Sequence, residues 1–135
     1  MTGSGRVMLP HANGRILAED IFSDINMPPF DKSAVDGFAC RKDDLGGDLA
    51  VRETIAAGAE PQLPIMPGTC SKIMTGAMVP PGADCIFMVE DSAEVVPGTV
   101  RFTGTGAPVN ICYMGEDIKA GEKVLSGGIL IRPQE

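Results

Sequence analysis

The sequence predicts a mainly β fold, an irregular barrel-like or bifurcated sheet of short strands with few short helices. Seventeen Gly and eleven Pro punctuate the 135 residues, and both residue types interrupt helical hydrogen bonding or cost backbone entropy. The apolar runs between them are short and bounded by Gly, Pro or Asp, which is the pattern of strands joined by turns. Aromatic residues make up only 4% of the chain and Trp is absent, so the core is expected to be built mainly from Ile, Val, Leu, Met and Ala. Short strands at uneven spacing favour a barrel-like or folded sheet over a sandwich.

Along the chain, the Asn13-Gly14 turn signal precedes Arg15 to Ser23. That segment mixes apolar and charged residues and fits either the tail of a helix or an extended strand. The paired prolines of Asn26-Met27-Pro28-Pro29-Phe30 forbid helix and force an extended path. They deliver the chain to the loop Asp31-Lys32-Ser33-Ala34-Val35-Asp36-Gly37, after which Phe38 to Arg41 reads as a strand. Further strand candidates are Leu49 to Ala57, Thr69 to Met74, Cys85 to Val89, Thr99 to Thr103, and Lys123 to Leu125 with Ile129 to Arg132. Met78 to Asp84 contains Pro-Gly and reads as a turn.

Composition excludes several function classes. Net charge is −7 at pH 7 and Lys and Arg form no cluster, so nucleic acid finds no electrostatic footprint. The cysteines Cys40, Cys70, Cys85 and Cys112 form no C-x-x-C pair and His11 is the sole histidine, which argues against zinc. Buried free thiols are the expectation, as in a reducing cytosol. Apolar runs fall well short of the ~20 residues a membrane span needs, and the start Met1-Thr2-Gly3-Ser4-Gly5 resembles no secretory signal. A soluble, cytoplasmic protein is expected. With His11 remote, Ser33 lacks a base for hydrolase chemistry, and a chain with one Tyr and no Trp offers poor platforms for sugars.

Candidate chemistry sits where polar groups adjoin glycine, so that backbone can approach a ligand. The segments are Asp31 to Gly37, Met74-Thr75-Gly76-Ala77, and Gly115-Glu116-Asp117. Hard oxygen ligands such as Asp31, Ser33 and Asp36 suit Mg²⁺, which takes one or two carboxylates and completes its shell with water and phosphate. The same residues before Gly equally cap short helices or close Asx turns. Thr75-Gly76 fits a phosphate cradle or an ordinary turn, and Glu116 and Asp117 equally fit a solvated corner.

The segments Gly14 to Ile21, Pro28 to Ala39, Lys72 to Ala77, Val79 to Asp84 and Gly115 to Ile118, in that order, resemble the amino-terminal part of the MoeA family. This is the molybdopterin molybdenumtransferase family, which includes the E domain of gephyrin. The resemblance implies insertion of molybdate into adenylated molybdopterin with release of AMP, assisted by Mg²⁺ or another divalent cation. It also implies a homodimer in the complete enzyme, with each cleft completed by an α/β pterin-binding domain of the other subunit.

Carried over by motif, Asp36 of the D-x-S-x-x-D-G segment, Thr75 of M-T-G and Asp117 of G-E-D are the expected catalytic residues. Asp36 and Asp117 are the expected metal ligands, and Thr75 is the expected donor to an oxyanion. Ser33, Gly37, Gly76 and Glu116 are the expected cofactor-binding positions.

The implied division is residues 1–25 as the start of an elongated linker and dimerisation domain, 26–117 as the β-rich loop-bearing domain, and 118–135 as the return segment. The helical segment that usually precedes Gly14 is replaced by Met1 to Asn13, and Cys112-Tyr113-Met114 stands where many relatives carry arginine. Ending at Gln134-Glu135, before the α/β domain, the chain is expected to be inactive alone. The alternative is a non-catalytic scaffold module for dimerisation or partner binding.

Overall fold

The computed structural model describes residues 3–135, so Met1 and Thr2 of the expected non-signal start lie outside the described residues. The strands are β1 (Ile21–Phe22), β2 (Lys32–Ser33), β3 (Gly37–Cys40), β4 (Asp48–Ile55), β5 (Thr69–Ile73), β6 (Cys85–Met88), β7 (Ser92–Val96), β8 (Thr99–Phe102), β9 (Ile111–Cys112) and β10 (Lys123–Leu125). Helical structure among the described residues is limited to the 3₁₀ turns Leu9–His11, Lys42–Asp44 and Val89–Asp91. The mainly β class is thus as expected, with a principal sheet that curls into a half-barrel.

The chain divides into two compact units, Pro28–Met114 and the joined flanks Met1–Met27 with Gly115–Glu135. Asn26, Met27 and Gly115 to Asp117 therefore leave the loop-bearing unit in which the sequence put them. The physical reason is backbone pairing. Met27 bridges Ile118, and the N–H groups of Asp117 and Ile118 both donate to the Met27 carbonyl.

In the larger unit, the six-stranded sheet runs in the order β6-β3-β5-β4-β8-β7. Every pairing is antiparallel except β4 with β5. That parallel pair requires a crossover longer than a hairpin, which residues 56–68 supply. Strands β3 and β6 read as nearly continuous apolar runs, and all of β3 is buried. Both of their faces are covered, so alternation with polar residues is lost.

One face gathers Phe38, Cys40, Leu49, Cys70, Phe87 and Val100, and the other Ala39, Ile55, Ile73, Ala77 and Ile86. Phe87 stacks on Phe38 at 5.4 Å and meets Phe102 at 5.3 Å, so the few aromatics are concentrated at one point. Each buried Phe, Leu, Ile or Val among them contributes about 1.5–3 kcal/mol.

The outer edge of β6 is covered. The Ile86 N–H donates to the Val109 carbonyl, and the Asn110 side-chain amide donates to the Ile86 carbonyl at 2.9 Å. Asn110 has φ 48°, a left-handed conformation that Asn tolerates better than most residues. An edge strand blunted in this way presents no free template for pairing with another chain.

Cys40, Cys70 and Cys85 are buried free thiols, and Cys112 is partly exposed. Cys40 and Cys85 face each other across β3 and β6 with their sulfurs 3.8 Å apart. The Cys40 thiol donates to Cys85, which pushes Cys40 up and holds Cys85 down. Burial alone pushes Cys70 up to about 12.

The smaller unit is a ribbon in which β1 pairs antiparallel with β10 and Ile16 bridges Leu130. Arg15 to Ser23 is accordingly extended. The expected strand at Ile129 to Arg132 is reduced to the single bridge at Leu130. The Asp20 carboxylate pins the ribbon by accepting from the Gly127 N–H at 2.8 Å and from Lys123 at 3.3 Å. Those bonds, the Gly127 one foremost, hold its pKa below the ordinary value. Ile16, Ile21, Phe22, Ile25, Val124 and Leu130 are exposed in this unit.

Candidate functional site

The site in the larger unit is assembled by strand register. Gly37 of β3 stands opposite Ile73 of β5, so the residue before the first and the residues after the second leave the sheet at the same end. Asp36 and Met74-Thr75 are those residues. The Asp36 Oδ1 accepts two hydrogen bonds, both at 2.7 Å, from the Thr75 backbone N–H and from Thr75 Oγ1.

Gly76 follows with φ +81°, a conformation that only glycine adopts without strain. It turns the chain so that its own N–H donates to the Ser33 carbonyl at 2.8 Å. Asp36 in turn is anchored through its carbonyl, which accepts the Val89 N–H.

Both partners are exposed. The Thr75 N–H, then the Thr75 hydroxyl, and more weakly the charge of Lys72 hold the Asp36 pKa below its ordinary value. Hydrogen bonds to the charged form favour that form, so Asp36 is a carboxylate throughout the neutral range. Both bonds fall on Oδ1, which leaves Oδ2 without a protein partner among the described residues.

Because the folded pKa is lowered, the clasp is fully formed above the ordinary Asp range and is lost as pH falls through the depressed value. In an NMR pH titration, the Thr75 amide shift is therefore expected to move with a midpoint below that of an unperturbed Asp. A midpoint at the ordinary value would contradict the clasp.

The other expected residues fall as follows. Ser33 is buried, and its hydroxyl bonds the backbone of Val35. Gly37 is buried in β3, where an added Cβ would lie 2.0 Å from the Phe87 carbonyl oxygen. Thr75 directs both of its donors at Asp36, where the sequence suggested a donor to an oxyanion.

Asp117 lies in the ribbon unit, exposed, with its N–H on the Met27 carbonyl. Glu116 precedes it there and is exposed, and Gly115 is buried. Asp31 serves the fold of the larger unit, since its Oδ1 accepts the Met114 N–H at 2.8 Å and its carbonyl the Val79 N–H. Lys72 was given no role by sequence reasoning, although it lies in the same Lys-Ile-Met-Thr-Gly run. It acts on Asp36 because β5 ends beside that residue.

Among the described residues, no group of three or more His, Cys, Asp or Glu side chains is placed to hold a metal. No helix among them is long and apolar enough to cross a membrane.

The MoeA N-terminal region family (domain I and II) matches residues 2–135. The chain belongs to this family. It is 41% identical to a molybdopterin molybdenumtransferase of Haemophilus influenzae, with 93% of this chain and 32% of that protein covered. It is 37% identical to molybdopterin molybdenumtransferase 2 of Mycobacterium tuberculosis, with 94% of this chain and 33% of that protein covered.

The crystal structure of the molybdopterin biosynthesis moeA protein from Pyrococcus horikoshii OT3 matches with a TM-score of 0.85 and 36% identity, covering 95% of this chain and 36% of that one. The chain thus spans about a third of the length of these MoeA relatives.

Proposed function

We propose that this chain supplies one wall of the cleft in which molybdate is inserted into adenylated molybdopterin with release of AMP. The observation that supports the reading best is the Asp36–Thr75 clasp. It is an exposed carboxylate, ionised at neutral pH, held at one oxygen and open at the other. An acidic chain that handles phosphate and molybdate needs either a cation to bridge them or a basic surface from another domain or subunit.

One hard carboxylate oxygen is the kind of donor that Mg²⁺ combines with water and phosphate oxygens, so the donor chemistry fits a divalent cation at Asp36. When bound, that cation supplies positive charge to phosphate or molybdate oxygens. The chain's own part is to keep the carboxylate charged and aimed. Thr75 does so by fixing Oδ1, and Lys72 favours the charged form. Asp117 enters this reading, as a metal ligand and catalytic residue with Glu116 beside it, by the family resemblance alone.

A second reading is favoured by the ribbon unit. A two-stranded ribbon rarely stands alone in water, and this one exposes Ile16, Phe22 and Leu130. Exposed apolar side chains on such a ribbon suit an interaction site, and a second copy of the chain is the proposed occupant. A scaffold role needs nothing further, whereas the enzyme reading adds the α/β pterin-binding domain. The reading places the protein in the cytoplasm, where buried free thiols stay reduced.

Calorimetric titration with adenylated molybdopterin and Mg²⁺ tests the choice. Heat of binding that appears when the remaining domains of such an enzyme are added, and disappears without Mg²⁺, is the expected result. A folded chain that binds nothing under either condition, while self-associating with concentration, would leave the scaffold.

A further inference from the structure

We infer that Ser33 is the positioning residue that sets the Asp36–Thr75 clasp. Ser33 is 1% exposed, so its hydroxyl does not meet a ligand; every bond it makes is to this chain. The Oγ donates to the Val35 carbonyl at 2.5 Å and accepts the Val35 N–H at 3.3 Å. A serine bonded two residues ahead closes a tight local turn, and this one presents Asp36 as the next residue.

The backbone of Ser33 holds the other arm of the site. Its N–H donates to the Ala77 carbonyl at 2.9 Å, and its carbonyl accepts the Gly76 N–H at 2.8 Å. Val35 adjoins Asp36, and Gly76 adjoins Thr75. Each partner of the clasp is therefore one residue from a hydrogen bond made by Ser33.

A third tie fixes the hub itself. Ser33 pairs with Ile111 of β9, and the N–H of the following Ala34 donates to the Asn110 carbonyl. Asn110 and Val109 are the residues that cover the edge of β6. Ser33 thus sits where the Asp36 turn, the Thr75 turn and the strap over the sheet edge meet.

Two hydrogen bonds of 2.7 Å on one carboxylate oxygen demand placement to within about 0.5 Å. A side chain that locks one arm, on a backbone that locks the other, supplies it. The two Thr75 hydrogen bonds to Asp36 then depend on Ser33 without any contact between Ser33 and the carboxylate. The importance of the hub for catalysis rests on the proposed function; its effect on Asp36 does not.

The test is amide hydrogen exchange, read by NMR, in the Ser33→Ala variant of this chain, with the Gly127 amide as the reference. The expected result is at least about tenfold faster exchange of the Thr75 amide, as its opening becomes easier. The Gly127 amide, held by Asp20 in the ribbon unit, is expected to keep its rate. Ser33→Thr, which keeps the hydroxyl, is expected to restore the slow exchange of Thr75.

Should Ser33→Ala fail to fold, the near-isosteric Ser33→Cys, a weaker hydrogen bonder, is measured in its place. Unchanged exchange of the Thr75 amide in a folded variant overturns the inference. Loss of fold in both variants also overturns it, by making Ser33 a residue of global stability. In the complete enzyme, kcat is expected to fall on the order of tenfold to a hundredfold with KM steady. Faster Thr75 exchange with full activity would leave the positioning role standing and sink the functional reading of the clasp.

Discussion

Gly37→Ala is expected to destabilise the chain by about 3 kcal/mol or more, the upper end of what overpacking a close-packed interior costs. The added Cβ would stand 2.0 Å from the carbonyl oxygen of Phe87, 2.9 Å from its carbonyl carbon and 3.3 Å from the Cα of Met88. All three are backbone atoms, so no side-chain rotation relieves the clash, and β6 must move away from β3. Those two strands carry Phe38 and Phe87, whose stacking anchors one face of the core. A domain with total stability of about 5–15 kcal/mol loses a large fraction of it.

Denaturant unfolding of the variant checks the loss, and the Thr75 amide shift reports the site, since Asp36 directly precedes Gly37. Wild-type stability in the variant would contradict the close approach. The resemblance made Gly37 an expected cofactor-binding position, and the structure adds that glycine is required there for packing.

The difference at Gly37 shows which features the sequence could express. Strands β5, β6 and β8 were readable because each is a short segment with apolar or β-branched residues next to Gly or Asp. Strand β7 was not, since Ser92–Val96 is mostly exposed and carries Glu94, and its place at the sheet edge removes the alternation that marks a half-buried strand. Strands β2 and β9 have two residues each and exist through their pairing with one another. Local propensity does not register pairs of that kind.

The site follows the same division. Asp36 and Thr75 were legible as Asp-Gly and Thr-Gly motifs, yet their contact spans 39 residues and follows from the β3–β5 register, which motif spacing does not reveal. Ser33 carried the signal of a ligand, a hydroxyl near glycine and carboxylates, and proves to be buried. Exposure is a property of the folded chain, so an identical motif reads alike whether its hydroxyl faces a ligand or the next turn.

Replacing Asp36 with Asn in a complete enzyme containing this region is expected to lower kcat on the order of 10²- to 10³-fold, the scale seen when one preorganised electrostatic group is removed. The substitution keeps the shape of the side chain. It removes the charge, which is the property that the Thr75 N–H, the Thr75 hydroxyl and Lys72 act together to preserve. An amide oxygen at the Oδ1 position can still accept from Thr75, so the turn survives and the fold with it. The other terminus of an amide is a donor, which repels a cation. The variant therefore separates holding Thr75 from holding positive charge.

Divalent-cation dependence is expected to weaken together with kcat. Thr75→Val, by contrast, removes one of two donors and leaves the carboxylate charged, so a smaller fall is expected. Groups that act as a unit are non-additive, and the double variant is accordingly expected to be little slower than Asp36→Asn alone. Steady-state kinetics of the two single variants and the double variant across a range of Mg²⁺ concentrations checks both points. Unchanged kinetics and metal dependence in Asp36→Asn would remove Asp36 from the chemistry. The ribbon's exposed apolar surface would then carry the functional argument, with self-association as its readout.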